Sequence, residues 1–121
     1  MPSFFNTLII LRLIDIGGQR SERKKWVHCF EDLNAMIYVA SLVDYCMVLE
    51  EDNMTNRLTE SVKLFSAMCN NPYFSSIPII LFLNKKDLFD KKILVCPLEQ
   101  YFPNYIKGSL RLILIILYVV G

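Results

Sequence analysis

"SIPIILFLNKKD", residues 76–87, is the stretch on which the fold turns. Ile77 to Leu83 run without a polar break, then give way at once to Asn84, Lys85, Lys86 and Asp87. A continuous apolar run, as opposed to an alternating one, fits a parallel strand covered on both faces. Two further runs have strand length, Leu8 to Ile14 and Ala35 to Leu42. Between the second and third runs, Met54, Leu58, Val62, Phe65 and Met68 recur at spacings of four and three, which sets them on one helical face. The "NNP" at 70–72 ends that helix, since a proline disfavours helix at the residue before it. Residues 19–31 tolerate helix and join the first two strands. The order is therefore strand, irregular helix, strand, helix, strand: an α/β unit with a parallel sheet.

The 121 residues suffice for one domain with a modest core. A net charge of +1 argues against nucleic acid or any other polyanionic partner. The hydrophobic fraction, 54%, is high for a soluble domain, and part of the excess sits in Leu112 to Val120, "LILIILYVV". That run is too short for a bilayer, which takes roughly 20 helical residues; a short buried strand is its expected role. The opening "MPSFFNTLIIL" has no basic segment ahead of its apolar residues and no glycine after the methionine. Neither a secretory signal nor a myristoylation site is read there. Cys29, Cys46, Cys69 and Cys96 form no C-x-x-C pair, so they read as reduced thiols of a cytosolic protein and not as a metal set. His28, the only histidine, reads as a packed or solvated residue.

Ligands in open α/β sheets bind beyond the carboxyl ends of the strands, and two loops stand at such ends. The first is Asp15-Ile16-Gly17-Gly18-Gln19. A carboxylate there suits a magnesium ion held through water, because that ion prefers oxygen and keeps much of its hydration. A glycine three positions on lets a backbone amide approach a phosphate, and Gln19 is placed to orient an attacking water. The second is Asn84-Lys85-Lys86-Asp87. Its carboxylate can accept two donors from a guanine edge, a pair that adenine does not offer, while the asparagine and the lysine stem complete the contact. Each pattern alone is a weak signal, the first reading more readily as a bland turn and the second also as a solvated one; their joint occurrence after two predicted strands points to a guanine nucleotide.

At these residues the chain resembles a known family. "DIGGQRSERKKWVHCFEDLNAMIYVASLVDY", "NRLTESVKLF" and "SIPIILFLNKKDLFDKKI" are similar to the alpha subunit of heterotrimeric G proteins, over roughly residues 12–107. The resemblance implies an incomplete P-loop GTPase (Ras-like) domain at 12–107, a mostly parallel sheet with flanking helices, between divergent segments 1–11 and 108–121. It implies GTP and GDP as ligands with Mg2+, and residues 15–26 as the segment that senses the terminal phosphate and docks the beta-gamma dimer. By the same resemblance Asp15 is the magnesium-side carboxylate, Gly18 offers its amide to the phosphate, and Gln19 positions the hydrolytic water. Ile16, Gly17 and Lys86 complete the two nucleotide loops, and Asn84, Lys85 and Asp87 match the guanine-recognition positions. Arg20, Glu22, Lys24, Lys25, Trp26, His28 and Cys29 match positions at or near the beta-gamma surface. Arg23 and Glu60 match a pair that the family joins in its GTP form. Without the family, "RSERKK" reads as a solvated helix face and Arg23–Glu60 as an ordinary surface pair.

Several family parts have no counterpart in these residues. Four glycines, at 17, 18, 108 and 121, cannot form G-x-x-x-x-G-K-[ST]. No segment resembles the first switch, with its arginine and threonine, or the second base-binding loop T-C-A-T. The inserted helical domain, the lipidated amino-terminal helix and the carboxyl-terminal receptor-binding helix are likewise unmatched. In the family the strand before the phosphate loop lies between the strands matched by 8–14 and 35–42, so Leu112 to Val120 is expected as a replacement strand. The abrupt borders suggest a truncated or mis-spliced gene record. The expected function is that of a GTP-binding, GTP-hydrolysing signal transducer downstream of G protein-coupled receptors, at the inner face of the plasma membrane. Nucleotide binding by these residues alone is expected to be very weak, without useful hydrolysis. The alternatives are a non-catalytic fragment that binds beta-gamma through residues 20–29, and an unstable product without a function of its own. "CNNPYF" and "NKKDLF" lean towards the inhibitory group.

Overall fold

The computed structural model describes residues 10–104, which divide into two compact units at Leu33/Asn34. The expected Leu112–Val120 strand lies outside the described residues.

In the second unit, β1 (Met36–Ser41) and β2 (Ile79–Asn84) pair in parallel, with Met36 beside Ile79 and Ser41 beside Asn84. Between them runs α1 (Arg57–Cys69), and after β2 follows α2 (Lys86–Val95). The β-α-β order and the parallel pairing expected from the apolar runs are both present. Side chains alternate across a strand, so Tyr38, Ala40, Leu81 and Leu83 share one face. That face meets α1: the Tyr38 ring lies 5.0 Å from Phe65, and its hydroxyl donates to the Ser61 carbonyl at 2.8 Å.

The opposite face corrects the expectation of a strand buried on both sides. Ile37, Val39, Ile80 and Phe82 are about half exposed. The continuous run in β2 satisfies a helix layer on one side, and among the described residues nothing covers the other.

The core proper lies at one end of the sheet. Leu42, Val43 and Tyr45, from the 3-10 helix Leu42–Cys46 after β1, cluster with Leu58, Phe89 and Leu98. Tyr45 is wholly buried, edge-on to Phe89 at 5.6 Å and to Tyr101 at 5.8 Å. Asn56 fastens α1 to this cluster. Its side-chain oxygen accepts from the Thr59 amide at 3.0 Å, capping the helix, while its Nδ2 donates to the Tyr45 carbonyl at 2.6 Å. At the other end of α1 the "NNP" stop works as expected. Asn70 closes the helix, and the Asn71 side chain accepts from the Tyr73 amide at 2.9 Å to start the next turn at Pro72.

Leu58, Phe65 and Met68 are buried on α1 as the spacing predicts. Met54 departs from that prediction: it precedes the helix and is 85% exposed. Asp52 holds the Met54 and Thr55 amides at 2.9 Å each, an Asx turn that delays the helix to Asn56.

Over residues 10–14 the first unit corrects the expected strand at Leu8–Ile14, whose first two residues lie outside the described ones. Residues 10–18 form no strand, and Ile10, Leu11 and Leu13 are at least four-fifths exposed. A strand needs a neighbour for its amides and carbonyls, and among the described residues none pairs with these. Arg20–Cys29 then form a 3-10 helix of 10 residues with no buried side chain. Such runs seldom exceed about four residues, because their hydrogen-bond geometry is poor.

Candidate functional site

Asp15 to Gln19 lie outside any helix or strand and are exposed. What shapes this loop is the helix that follows. The Trp26 indole donates to the Gly17 carbonyl at 2.7 Å, and Arg23 Nε donates to the Gly18 carbonyl at 3.3 Å. The two carbonyls are thus drawn towards the helix. Gly17 is required by packing: a Cβ there would stand 2.8 Å from Glu22 Cβ and Cγ. Gly18 is not, since a Cβ there would meet nothing within 4 Å. Open space beside Gly18 agrees with a residue kept small for an approaching ligand, though any turn would tolerate it.

Along the helix, Lys25 pairs with Glu22 at 2.8 Å. Lys24 and His28 are exposed, and Val27 is 69% exposed. Trp26 is half-buried, with its ring edge-on to Phe30 at 6.4 Å. Its indole N–H is spent on Gly17. Cys29 is half-buried, 3.9 Å from the Lys25 carbonyl.

The second loop stands where the sequence places it, directly after β2. Asn84 ends the strand, and its side chain accepts from the Lys85 amide at 2.8 Å. Lys85 adopts φ 61°, ψ 35°, a left-handed conformation that is uncommon for a side chain other than glycine, asparagine or aspartate. That one residue turns the chain from the strand into α2 without an intervening loop, and strained backbone of this kind gathers at functional sites. Lys86 pairs with Asp90 one turn on, at 2.6 Å, and Asp87 lies in the first helical turn. Asn84, Lys85, Lys86 and Asp87 are all exposed, so their polar groups face solvent. Phe89 anchors the turn behind them in the core.

The structure brings Asp15–Gln19 together with residues 20–29, and Asn84–Asp87 with one another. The two loops belong to different units, as do Arg23 and Glu60. Among the described residues no group of three or more His, Cys, Asp or Glu side chains could form a metal cage. A magnesium ion that keeps its water and phosphate ligands needs only one or two carboxylates, and exposed Asp15 fits that modest part.

The family model for the G-protein alpha subunit matches residues 3–114. The chain belongs to the G-protein alpha subunit family. An alpha-7 subunit from Caenorhabditis elegans is 57% identical over 101 residues, 84% of this chain and 28% of the relative. An alpha-16 subunit from the same animal is 59% identical over 93 residues, 77% of this chain and 26% of the relative. A G(o) alpha subunit from Lymnaea stagnalis is 57% identical over 94 residues, 78% of this chain and 27% of the relative. The chain thus spans little more than a quarter of the length of the alpha subunits it matches. The small α/β piece with two parallel strands is what part of a P-loop GTPase domain provides.

Three features around the two loops escaped the sequence reading: helix α2, the left-handed Lys85, and the half-buried Trp26. Phe89 and Ile93, four apart, carried a helix signal that the surrounding lysines and aspartates obscured.

Proposed function

We propose that this alpha-subunit chain carries two working loops of a guanine nucleotide switch. Asn84, Lys85 and Asp87 recognise the guanine base. Asp15 would hold Mg2+ through water, Gly18 would offer its amide to the terminal phosphate, and Gln19 would orient the attacking water, with Arg23 and Glu60 pairing in the GTP form. The bound ion would supply charge neutralisation at the phosphates. In an intact subunit these loops serve a GTP-hydrolysing transducer between G protein-coupled receptors and effectors, at the cytoplasmic face of the plasma membrane. Among the described residues no helix is long and apolar enough to cross a membrane.

The observation that carries this reading is the loop at the end of β2. A left-handed Lys85 and an asparagine folded onto its amide leave the Asp87 carboxylate exposed in the first turn of α2. By themselves the 121 residues bind GTP weakly, because none of them supplies the glycine-rich phosphate cradle and lysine. Equilibrium binding of a fluorescent, slowly hydrolysed GTP analogue, with Mg2+ and with ATP as competitor, tests this. The expected result is binding weaker than micromolar, with no turnover of GTP. Micromolar binding that GTP displaces, ATP does not, and Asp87→Asn removes would overturn the weak-affinity part while upholding the base loop.

A second reading, a non-catalytic module that binds beta-gamma, is favoured by the outer surface of Arg20–Cys29, where Lys24, Val27 and His28 face solvent. Capture of purified beta-gamma by the chain, unchanged by GDP or a GTP analogue and lost in Lys24→Glu, would select it. No capture would remove it.

A further inference from the structure

Helix α2 has an inner and an outer side. Phe89 and Ile93, four apart, pack into the core cluster. At about 100° per residue, Leu88, Lys91 and Val95 fall on the side turned away from that cluster, with Leu94 and Lys92 at its two margins. The last turn is unusually bare. Leu94 is 81% and Val95 83% exposed, and Leu88 is about half exposed. Lys91 is exposed and Lys92 half-buried, and neither is in an ion pair among the described residues. Beside the helix end stands Tyr101, 40% exposed, whose hydroxyl accepts from the Cys96 thiol at 3.7 Å. The carboxylates of α2 lie in its first half: Asp90 is paired with Lys86, and Asp87 belongs to the Asn84–Asp87 loop.

We propose that the last turn of α2, through Lys91, Lys92, Leu94, Val95 and Tyr101, docks on the surface of an anionic phospholipid membrane. Lysine near a helix end also favours the helix dipole. That accounts for Lys92, but not for two bare aliphatic side chains beside it. Leu94 and Val95 are consecutive, so they point about 100° apart. A protein groove takes one stripe of residues spaced three or four apart, whereas a flat interface takes a wide arc. Lysine stems lie along apolar surface with their ammonium groups among the headgroups, and tyrosine is enriched at the same level. The net charge of +1 does not oppose this, because at physiological salt the attraction acts within about 8 Å and local charges decide it. Against the two lysines stands Glu99, exposed in the following turn.

The contact deepens the membrane location proposed above. Because α2 starts at Lys86 and has 10 residues, docking its far end holds the Asn84–Asp87 loop within roughly 15 Å of the lipid surface. Binding is weak and reversible, since each lysine adds only about fivefold. No nucleotide enters the vesicle measurement, so the base-loop reading and the membrane contact can fail separately.

The test is co-sedimentation of the full chain with vesicles of phosphatidylcholine and phosphatidylserine, roughly 3:1, and with vesicles of phosphatidylcholine alone. Stronger partitioning onto the anionic vesicles, weakened by added salt, is expected. Lys91→Gln together with Lys92→Gln should lower it about 25-fold. Leu94→Ser together with Val95→Ser should lower it on both kinds of vesicle. Lys63→Gln, at an exposed lysine of α1, should leave it unchanged. None of these side chains is buried, so each variant should melt as the parent does. Equal partitioning onto both vesicles would overturn the proposal. So would partitioning that ignores both double substitutions, which would assign it to another apolar segment. Retention on immobilised polyglutamate without binding to vesicles would also overturn it, in favour of an acidic protein partner.

Discussion

Residues 10–14 and residues 79–83 are both rich in leucine and isoleucine, both run into a polar loop, and both read as strands. Only the second pair of observations holds in three dimensions. Ile79 to Leu83 have β1 alongside and α1 above, so their backbone is paired and half of their side chains are covered. Ile10, Leu11 and Leu13 remain solvent-exposed, on a backbone without a ladder. The difference shows that an apolar run makes a strand only where a hydrogen-bonding neighbour and a packing layer exist. It also separates two kinds of loop. Asn84–Asp87 is set by a core beneath it, whereas Asp15–Gln19 is set by two side-chain bonds from its own following turn.

The sharpest way to break that contrast is at Tyr45. Tyr45→Ala empties the centre of the cluster and should cost about 3–5 kcal/mol, enough to abolish cooperative melting followed by far-UV circular dichroism. A variant that still melted cooperatively near the parent temperature would mean the core lies elsewhere. Next is Asn56→Ala, which removes the cap of α1 and leaves the Tyr45 carbonyl without its donor. A loss of about 1–2 kcal/mol in urea unfolding is expected.

A smaller effect is tied to pH. Burial, followed by the hydrogen bond to Cys96, pushes the Tyr45 hydroxyl well above its ordinary range. The folded chain therefore keeps this proton after the unfolded chain has released it. Its contribution is fully present below pH 10 and declines as pH rises past that value, so melting temperature should fall above pH 10. Tyr45→Phe should flatten that decline.

The smallest effect concerns the first loop. Gly17→Ala would press a methyl group onto Glu22 and disturb the Trp26–Gly17 bond. Trp26 is the only tryptophan, so its emission should shift to longer wavelength while urea unfolding of the core changes little. An unshifted emission maximum would show that the loop does not depend on that contact.

The β-α-β order, the helix face of Leu58, Phe65 and Met68, and the asparagine–proline stop were legible because each is a local pattern that local physics enforces. Strand burial was misjudged because a continuous apolar run does not say how many layers are present to cover it. Met54 was misplaced because the turn held by Asp52, four residues before the cap of α1 at Asn56, overrides the spacing. The Asn84–Asp87 loop was readable as four residues, but not its left-handed turn.

The most direct test of the proposed base-binding role of Asn84–Asp87 is amide chemical-shift mapping on the full chain, titrated with millimolar GDP and, separately, ADP. The account predicts shifts centred on Asn84–Asp87 with GDP, absent with ADP and lost in Asp87→Asn. Equal shifts with both nucleotides, or GDP shifts that spare these four residues, would contradict it.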